Sequence, residues 1–414
     1  MATLVMLVPG VTMFTPRRPC CSADPSCPPV HMKLLFVSNL FPDQREPWRG
    51  LDNVTLLHAL RQQEPGLDIR VLAFRPAPGL PGPVPLLRPR PGDEVLSPSY
   101  HKAAYLPKFG GWNHRLFARS LARAKKAALG GFQPEVILAP WLFPDACAAS
   151  ACFPQVPLVA VAQGSDVHQY LSQPMRRRAI LELCDRAWGI VTRSQDLQRR
   201  LTAAGADGSK VHAIYNGVHP GIFHPAPRQT AREQLQLQIP AQGRLALFVG
   251  NFLPVKGIDL LLEAFALVHQ RRGDLTLALI GSGPLEQSLK QRAAELGVSD
   301  RLLFAGRQPP QVVARWMQAA NAVCLSSHNE GVPNVVLEAV SSGRPMVSTD
   351  VGGIAEIIEP LMSRRFLVPS RDPAAYAAAL TDALDHPPDE QELHQKALHY
   401  SWENCAQAYL ALMR

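Results

Sequence analysis

Two carboxylates, Glu330 and Glu338, stand with seven residues between them in the run Glu-Gly-Val-Pro-Asn-Val-Val-Leu-Glu. A carboxylate is an acceptor that can take paired hydrogen bonds from neighbouring hydroxyls, so Glu338 suits a vicinal diol such as a ribose and Glu330 a sugar hydroxyl. Both could instead be surface charges of an amphipathic helix, but Val335, Val336, Leu337, Ala339 and Val340 leave Glu338 little polar face to share. A third candidate is Lys256, in the run Gly-Asn-Phe-Leu-Pro-Val-Lys-Gly at 250–257. An ammonium at a strand-to-helix junction can neutralise a departing diphosphate as a point charge.

These side chains need elements to hold them. The apolar run 322–325 reads as a buried strand, residues 326–329 break it, and Pro333 can open a helix that runs to about Ser342, before Gly343. The backbone from Gly331 through Pro333 and Asn334 to Val335 then presents unpaired N–H groups and a positive dipole end, which suits a phosphate. Residues 245–249 read as the strand ahead of Asn251 and Lys256, and 258–270 as the helix behind them. Residues 277–280 form another strand, ending in a Gly-Ser-Gly-Pro turn that includes Gly283. It is not a dinucleotide fingerprint, because Glu286 occupies the third glycine's place, and no Gly-Lys-Ser/Thr follows to make a Walker loop.

The first half repeats the pattern. Residues 33–38 read as a strand, 39–50 as a loop ending at Gly50, and 51–61 as an amphipathic helix. Gly50 either makes a turn or lets backbone approach a ligand closely. Further strands at 69–74, 136–139, 158–162, 189–192 and 211–215 alternate with helices, which means parallel sheets covered on both faces. The strand at 158–162 leads into Gln163, Gly164, an exposed-looking carboxylate at Asp166, and His168, which reads as a surface histidine. Residues 76–98 are a Pro-rich connection. The segment 100–126 interleaves Tyr105, Phe109, Trp112 and Phe117 with Lys102, Lys108, Arg115, Arg119, Arg123, Lys125 and Lys126, which suits anionic lipid, an anionic acceptor, or a solvated helix face.

The 414 residues suffice for two domains, and the net charge of +8 suits an anionic ligand, a membrane surface or nucleic acid. The local basic stretch carries no nucleic-acid-reading motif, which argues against nucleic acid. None of the eight cysteines is spaced for zinc, so neither disulfides nor a metal is expected. No apolar run reaches the roughly 18 residues of a membrane span.

The Glu-x7-Glu run, with Gly-Val-Pro-Asn inside it, and the stretch Ser-Gly-Arg-Pro-Met-Val-Ser-Thr-Asp-Val-Gly-Gly-Ile-Ala-Glu at 342–356 resemble the signature of the retaining nucleotide-sugar glycosyltransferases of family 4. The loop Phe-Pro…Arg-Gly at 41–50 is similar to that of members that build cell-surface polysaccharides, teichuronic-acid-type enzymes among them. The resemblance implies an α/β fold of the GT-B type, two Rossmann-like domains facing across a cleft. Residues 1–31 would be a disordered non-core extension, 32–217 the acceptor-side domain, 218–399 the nucleotide-sugar domain, and 400–414 a helix returning to the first.

It further implies catalytic roles for Lys256, Glu330 and Gln163, the last standing where the family usually has a reaction-centre histidine. Gly50, Asn251, Lys256, Gly283, Glu330, Gly331, Pro333, Asn334, Val335 and Glu338 would bind the donor, with Asn251 where the family often has arginine. Asp166 and His168 are the acceptor-side candidates. No cofactor or metal is implied beyond the nucleotide sugar itself as co-substrate. The partners would be a nucleotide diphosphate sugar and a sugar, polysaccharide or lipid-linked acceptor, with no nucleic acid, in the cytoplasm or at the inner face of the anionic cytoplasmic membrane. The rival readings are a nucleotide-sugar epimerase of the same fold and a binding protein that has lost catalysis.

Overall fold

The computed structural model describes residues 32–77, 87–106, 110–240 and 242–414. The expectations for residues 1–31, for Cys20, Cys21 and Cys27, and for Lys108 and Phe109 fall outside them.

Among the described residues thirteen strands form two sheets, parallel throughout. The first comprises β1 (Lys33–Ser38), β2 (Asp68–Ala77), β3 (Pro98–Ala104), β4 (Val136–Pro140), β5 (Leu158–Ala162), β6 (Gly189–Thr192) and β7 (Val211–Ala213), in the order β3-β2-β1-β4-β5-β6-β7. The second comprises β8 (Arg244–Val249), β9 (Leu275–Ile280), β10 (Leu302–Gly306), β11 (Ala322–Leu325), β12 (Met346–Thr349) and β13 (Leu367–Val368), in the order β10-β9-β8-β11-β12-β13.

The unbroken apolar runs follow from this burial on two faces. In β1, Leu35 and Val37 join one core while Leu34 and Phe36 join the other, all of them fully buried. Side chains alternate across a strand, so a run apolar at every position is stable only between two helical layers. Each such side chain contributes roughly 1.5–3 kcal/mol by leaving water. A separate core encloses the second sheet.

In both sheets the chain lays down strands in one direction, then returns to the first strand's other edge: β1 to β4, and β8 to β11. At such a reversal the loops leaving the carboxyl ends of neighbouring strands diverge and open a crevice. The loop before Gly50 leaves β1, the Lys256 loop leaves β8, and the Glu330 loop leaves β11.

The last helix, Trp402–Met413, packs on the helix Leu51–Gln63 of the first unit, burying Trp402, Cys405, Ala406 and Tyr409. β3 corrects the reading of 76–98 as a connection followed directly by a basic segment. Its Pro, Ser, His and Lys content does not look like a strand, and it forms because it pairs with β2 along its whole length as an edge strand. Tyr100, inside it, is core, with its hydroxyl donating to the Pro42 carbonyl at 2.7 Å.

Candidate active site

The Lys256 and Glu330 loops are knitted together by backbone. The His328 N–H donates to the Val255 carbonyl at 2.8 Å, and Ser326 Oγ donates to the Lys256 carbonyl at 3.1 Å. This brings Lys256 Nζ to 2.5 Å from Glu330 Oε1, which also accepts from Ser327 Oγ at 2.6 Å. The Lys256 and Glu330 side chains are only 20% and 11% exposed, so the pair is shielded without being sealed off.

Glu338 lies inside the helix Asn334–Ser341, whose N-cap is Pro333, with Val335 buried in the first turn and Gly331 in the preceding loop. An edge of Glu338 stays open, while burial, reinforced by the charge of Asp52, pushes its carboxyl up to about 8. Asp52 comes from the other sheet's unit, in the first turn of Leu51–Gln63. It accepts from Asn334 Nδ2 at 2.7 Å and from Asn216 Nδ2 at 3.2 Å, and Asn216 Nδ2 also reaches Asn334 Oδ1 at 2.7 Å. The side chain of Asn334, expected to face a donor, is thus engaged between the two units.

Gly50 is the N-cap of Leu51–Gln63 with φ +64°, and a Cβ there would run into the Leu40 carbonyl. Only glycine permits both the left-handed backbone and that approach. Gly283 packs its Cα against the Phe252 backbone, so its observed role is to let the turn after β9 close on the loop after β8. In that loop Asn251 Oδ1 accepts from Arg307 Nη2 at 3.1 Å.

On the first sheet's side, Gln163 leaves β5 half-buried, with Nε2 3.4 Å from Asn53 Oδ1. Asp166 corrects the exposed carboxylate expected from sequence, since it is 0% exposed and accepts from the backbone N–H groups of Leu142, Gln163 and Gly164. Its apolar surroundings raise its pKa, and its oxygens hold the β4 and β5 loops together rather than facing an acceptor. His168 is likewise not a surface residue. It is half-buried against the Glu330 backbone, and burial holds its imidazole below the ordinary value, with Arg200 acting in the same direction. Among the described residues its Nε2 has no hydrogen-bond partner. A Cβ on Gly164 would lie 4.0 Å from the Gly331 nitrogen, so the β5 and β11 loops meet at the cleft.

Among the described residues no cluster of three or more His, Cys, Asp or Glu side chains could hold a metal, and no helix is long and apolar enough to cross a membrane. Cys147, Cys152, Cys184, Cys324 and Cys405 are free thiols. Two surface concavities, one lined by Thr230, Gln311 and Gln318 and one by Leu171, Arg177 and Asp185, contain none of the candidate residues.

Sequence reasoning missed Asp52, Asn216, Ser327 and Arg307. Ser327 carried a signal, a hydroxyl three residues before Glu330 in a polar loop. Asp52, Asn216 and Asn334 lie far apart in the chain, so their contact exists only in the fold.

Residues 48–221 match the family described as Glycosyltransferase Family 4, and residues 229–400 match Glycosyl transferases group 1. The chain is 36% identical over 191 residues to a D-inositol 3-phosphate glycosyltransferase of Thermobispora bispora, 44% of each chain. Thus it spans about half the length of the curated relatives it first matches. A longer match, 27% identical over 369 residues, joins it to the putative teichuronic acid biosynthesis glycosyltransferase TuaC of Bacillus subtilis, covering 84% of this chain and 88% of that one. Among solved structures, Anabaena Alr3699/HepE superposes with a TM-score of 0.70 at 18% identity, covering 92% of this chain and 98% of that one. Sucrose-phosphate synthase from Thermosynechococcus elongatus superposes with a TM-score of 0.70 at 19% identity, covering 91% and 97%. With the fold shared over 91–92% of its length, the chain has the GT-B fold of two parallel-sheet α/β domains, and its two parts are similar to Glycosyltransferase Family 4 and to Glycosyl transferases group 1.

Proposed function

We propose that the chain moves a sugar from a nucleotide diphosphate sugar to an acceptor hydroxyl with retention at the anomeric carbon. The observation that carries this reading is the meeting of Lys256 and Glu330, 74 positions apart, at the strand reversal of the second sheet. A cation and a hydroxyl-binding carboxylate stand side by side there, one suited to a diphosphate and the other to its sugar. Glu338 would hold the ribose, and the backbone from Gly331 to Val335 the phosphates.

Retention through a covalent sugar intermediate needs a free carboxylate as nucleophile. Glu330 is bound to Lys256 and Ser327, and Asp166 is closed off, which supports a same-face reaction instead. In it the bond from the anomeric carbon to the leaving phosphate oxygen breaks, and the bond to the acceptor oxygen forms on the same face. The acceptor proton passes to the departing phosphate, whose charge Lys256 offsets. Gln163 and His168 border the acceptor's approach, with no metal or other cofactor required.

HepE was solved with UDP and glucose and with UDP-glucose, so UDP-sugars are the first donors to test. The relation to TuaC supports a polysaccharide or lipid-linked acceptor. Tyr105, Leu106, Trp112 and Met175 are exposed beside the basic helix Asn113–Ala128, which suits peripheral contact with an anionic membrane face. Thermal unfolding with a panel of UDP-, GDP- and ADP-sugars identifies the donor, because a ligand stabilises only the fold that binds it. NMR of the product with sugar and lipid-linked acceptors then reads the anomeric configuration. Inversion sinks the retaining mechanism, and an epimerised donor without acceptor consumption sinks the transfer.

A further inference from the structure

Position 251 is an asparagine where the family that the sequence resembles often has an arginine, so the loop after β8 carries one cation, Lys256. Lys256 is already paired with Glu330 at 2.5 Å. A donor diphosphate brings two or more negative charges into the cleft, and a lysine shared with a carboxylate offsets them poorly.

A second cation stands beside Asn251. Arg307, just past β10, donates from Nη2 to Asn251 Oδ1 at 3.1 Å and from Nε to Ser282 Oγ at 2.7 Å. The turn that carries Ser282 is bonded to the loop after β8, since the Phe252 N–H donates to the Ser282 carbonyl at 3.0 Å. Two neutral acceptors therefore fix the guanidinium in place and leave its charge intact. Among the described residues no carboxylate pairs with it, unlike Arg75, which is paired with Asp43, and Arg371, which lies 3.6 Å from Asp259.

The guanidinium also lies over the ring of Trp48, 5.2 Å from its centroid. Trp48 belongs to the first sheet's unit, two residues before Gly50. A guanidinium over an indole is held by the ring quadrupole, which fixes its plane without neutralising its charge. Arg307 thus spans the cleft between the loop ending at the Leu51–Gln63 N-terminus and the loop that carries Lys256.

We propose that Arg307 is the second diphosphate-binding cation of this chain. It reaches by way of Asn251 and Ser282 the place that an arginine at position 251 would fill from the backbone beside it, and Trp48 holds it across the cleft. The inference rests on the nucleotide-sugar reading of the site. Its chemistry is recognition of a nucleoside diphosphate, since a planar fork of donors suits paired phosphate oxygens.

Calorimetric titration of the full chain with UDP, GDP and ADP, and with the matching monophosphates, tests it. For the diphosphate that binds the parent best, Arg307→Gln is expected to weaken affinity about tenfold, and the matching monophosphate only slightly, because one charge-assisted contact is lost. Asn251→Arg added to Arg307→Gln should restore most of the loss, as the cation returns to the site from the other side. Thermal unfolding without ligand should be unchanged, since Arg307 is exposed. Diphosphate affinity equal to the parent's in Arg307→Gln overturns the proposal. So do equal losses for mono- and diphosphate, which would put Arg307 against the base. A parent that binds no nucleoside diphosphate at all overturns the nucleotide-sugar reading and this inference with it.

Discussion

Lys256 Nζ lies 2.5 Å from Glu330 Oε1, so the lysine read as the neutraliser of a diphosphate is itself neutralised by the carboxylate read as the sugar's acceptor. Each group orients the other, and a ligand entering between them exchanges one set of charge-assisted bonds for another. On the proposed reading, affinity for a resting donor would thereby be reduced, while the attraction of Lys256 for charge growing on the leaving group would be kept. Interactions stronger in the transition state than in the ground state are the ones that accelerate a reaction.

Lys256→Ala is therefore expected to lower turnover on the order of a hundredfold or more, the scale of losing one preorganised electrostatic group. Binding of the free nucleoside monophosphate should hardly change. Steady-state kinetics beside calorimetry reads both. An unchanged turnover number would reduce Lys256 to a structural partner of Glu330.

Another carboxylate bonds one unit to the other. Glu356 of the helix Ile354–Leu361 accepts from the backbone N–H groups of Gln195 and Asp196 at 2.7 Å each and from Tyr215 Oη at 2.8 Å. It thus caps the N-terminus of Gln195–Ala203, a helix of the other unit, from outside. Glu356→Ala should cost roughly 1–3 kcal/mol, as three hydrogen bonds to a charged carboxylate are lost together while the Ser194 cap stays. Tyr215→Phe should cost about 1 kcal/mol or less. Urea unfolding measures both, and a Glu356→Ala curve superposed on the parent's would show that the units are held together elsewhere.

The pH dependence of stability carries a sign. Glu338 has its carboxyl raised from 4.5 to about 8 by burial and by Asp52, so the folded state holds its proton where the unfolded chain has lost it. Its contribution to stability is fully present below about 4.5 and is lost as pH rises through 8. The limit is about 1.4 kcal/mol per pH unit, and the open edge of Glu338 keeps the effect below it. His101 and His168, whose pKa values are lowered by burial, act in the opposite sense below neutrality, so the informative quantity is a difference. Glu338→Gln should gain on the parent in unfolding free energy from pH 5 to pH 8. Parallel stability curves over that range would mean that the Glu338 carboxyl is solvated.

Much of the fold was legible because two-sided burial writes strands as apolar runs, and Gly, Pro and Ser mark their ends. Glu330 and Lys256 stand out because each lies in a segment of distinctive composition after a strand, and Glu338 because it interrupts an otherwise apolar helix. β3 was hidden because its residues are polar or prolyl and only β2 makes them a strand. Asp166 was misread for a related reason. A carboxylate after a strand-ending glycine looks exposed until the β4 loop folds over it and supplies the Leu142 N–H. Asn334 was assigned to a donor because it sits inside the signature. Its partners, Asp52 and Asn216, lie 282 and 118 positions away, and no local pattern announces them.

The raised pKa of Glu338 also reshapes what its substitution should do to binding. Below about pH 8 the carboxyl is largely protonated in the unliganded cleft, with the Asp52 charge nearby. Two ribose hydroxyls donating to it would favour the ionised form, since charge-assisted hydrogen bonds are about twice as strong as neutral ones. Binding should then release a proton, and the affinity of the parent for a nucleoside diphosphate should rise with pH until the carboxyl is ionised before the ligand arrives. Glu338→Gln cannot ionise, so its affinity should lack that rise. Its deficit should be small at pH 6 and reach roughly ten- to a hundredfold, about 1.5–3 kcal/mol, by pH 8.5. Calorimetry in buffers of different ionisation enthalpy counts the released proton directly. The 2′-deoxy nucleotide supplies the control, because with one hydroxyl gone the parent should lose most of its pH dependence while the variant changes little. A deficit of Glu338→Gln that is the same at pH 6 and pH 8.5, and the same for ribose and deoxyribose, would remove Glu338 from the ligand and leave it a buried acid of the helix Asn334–Ser341.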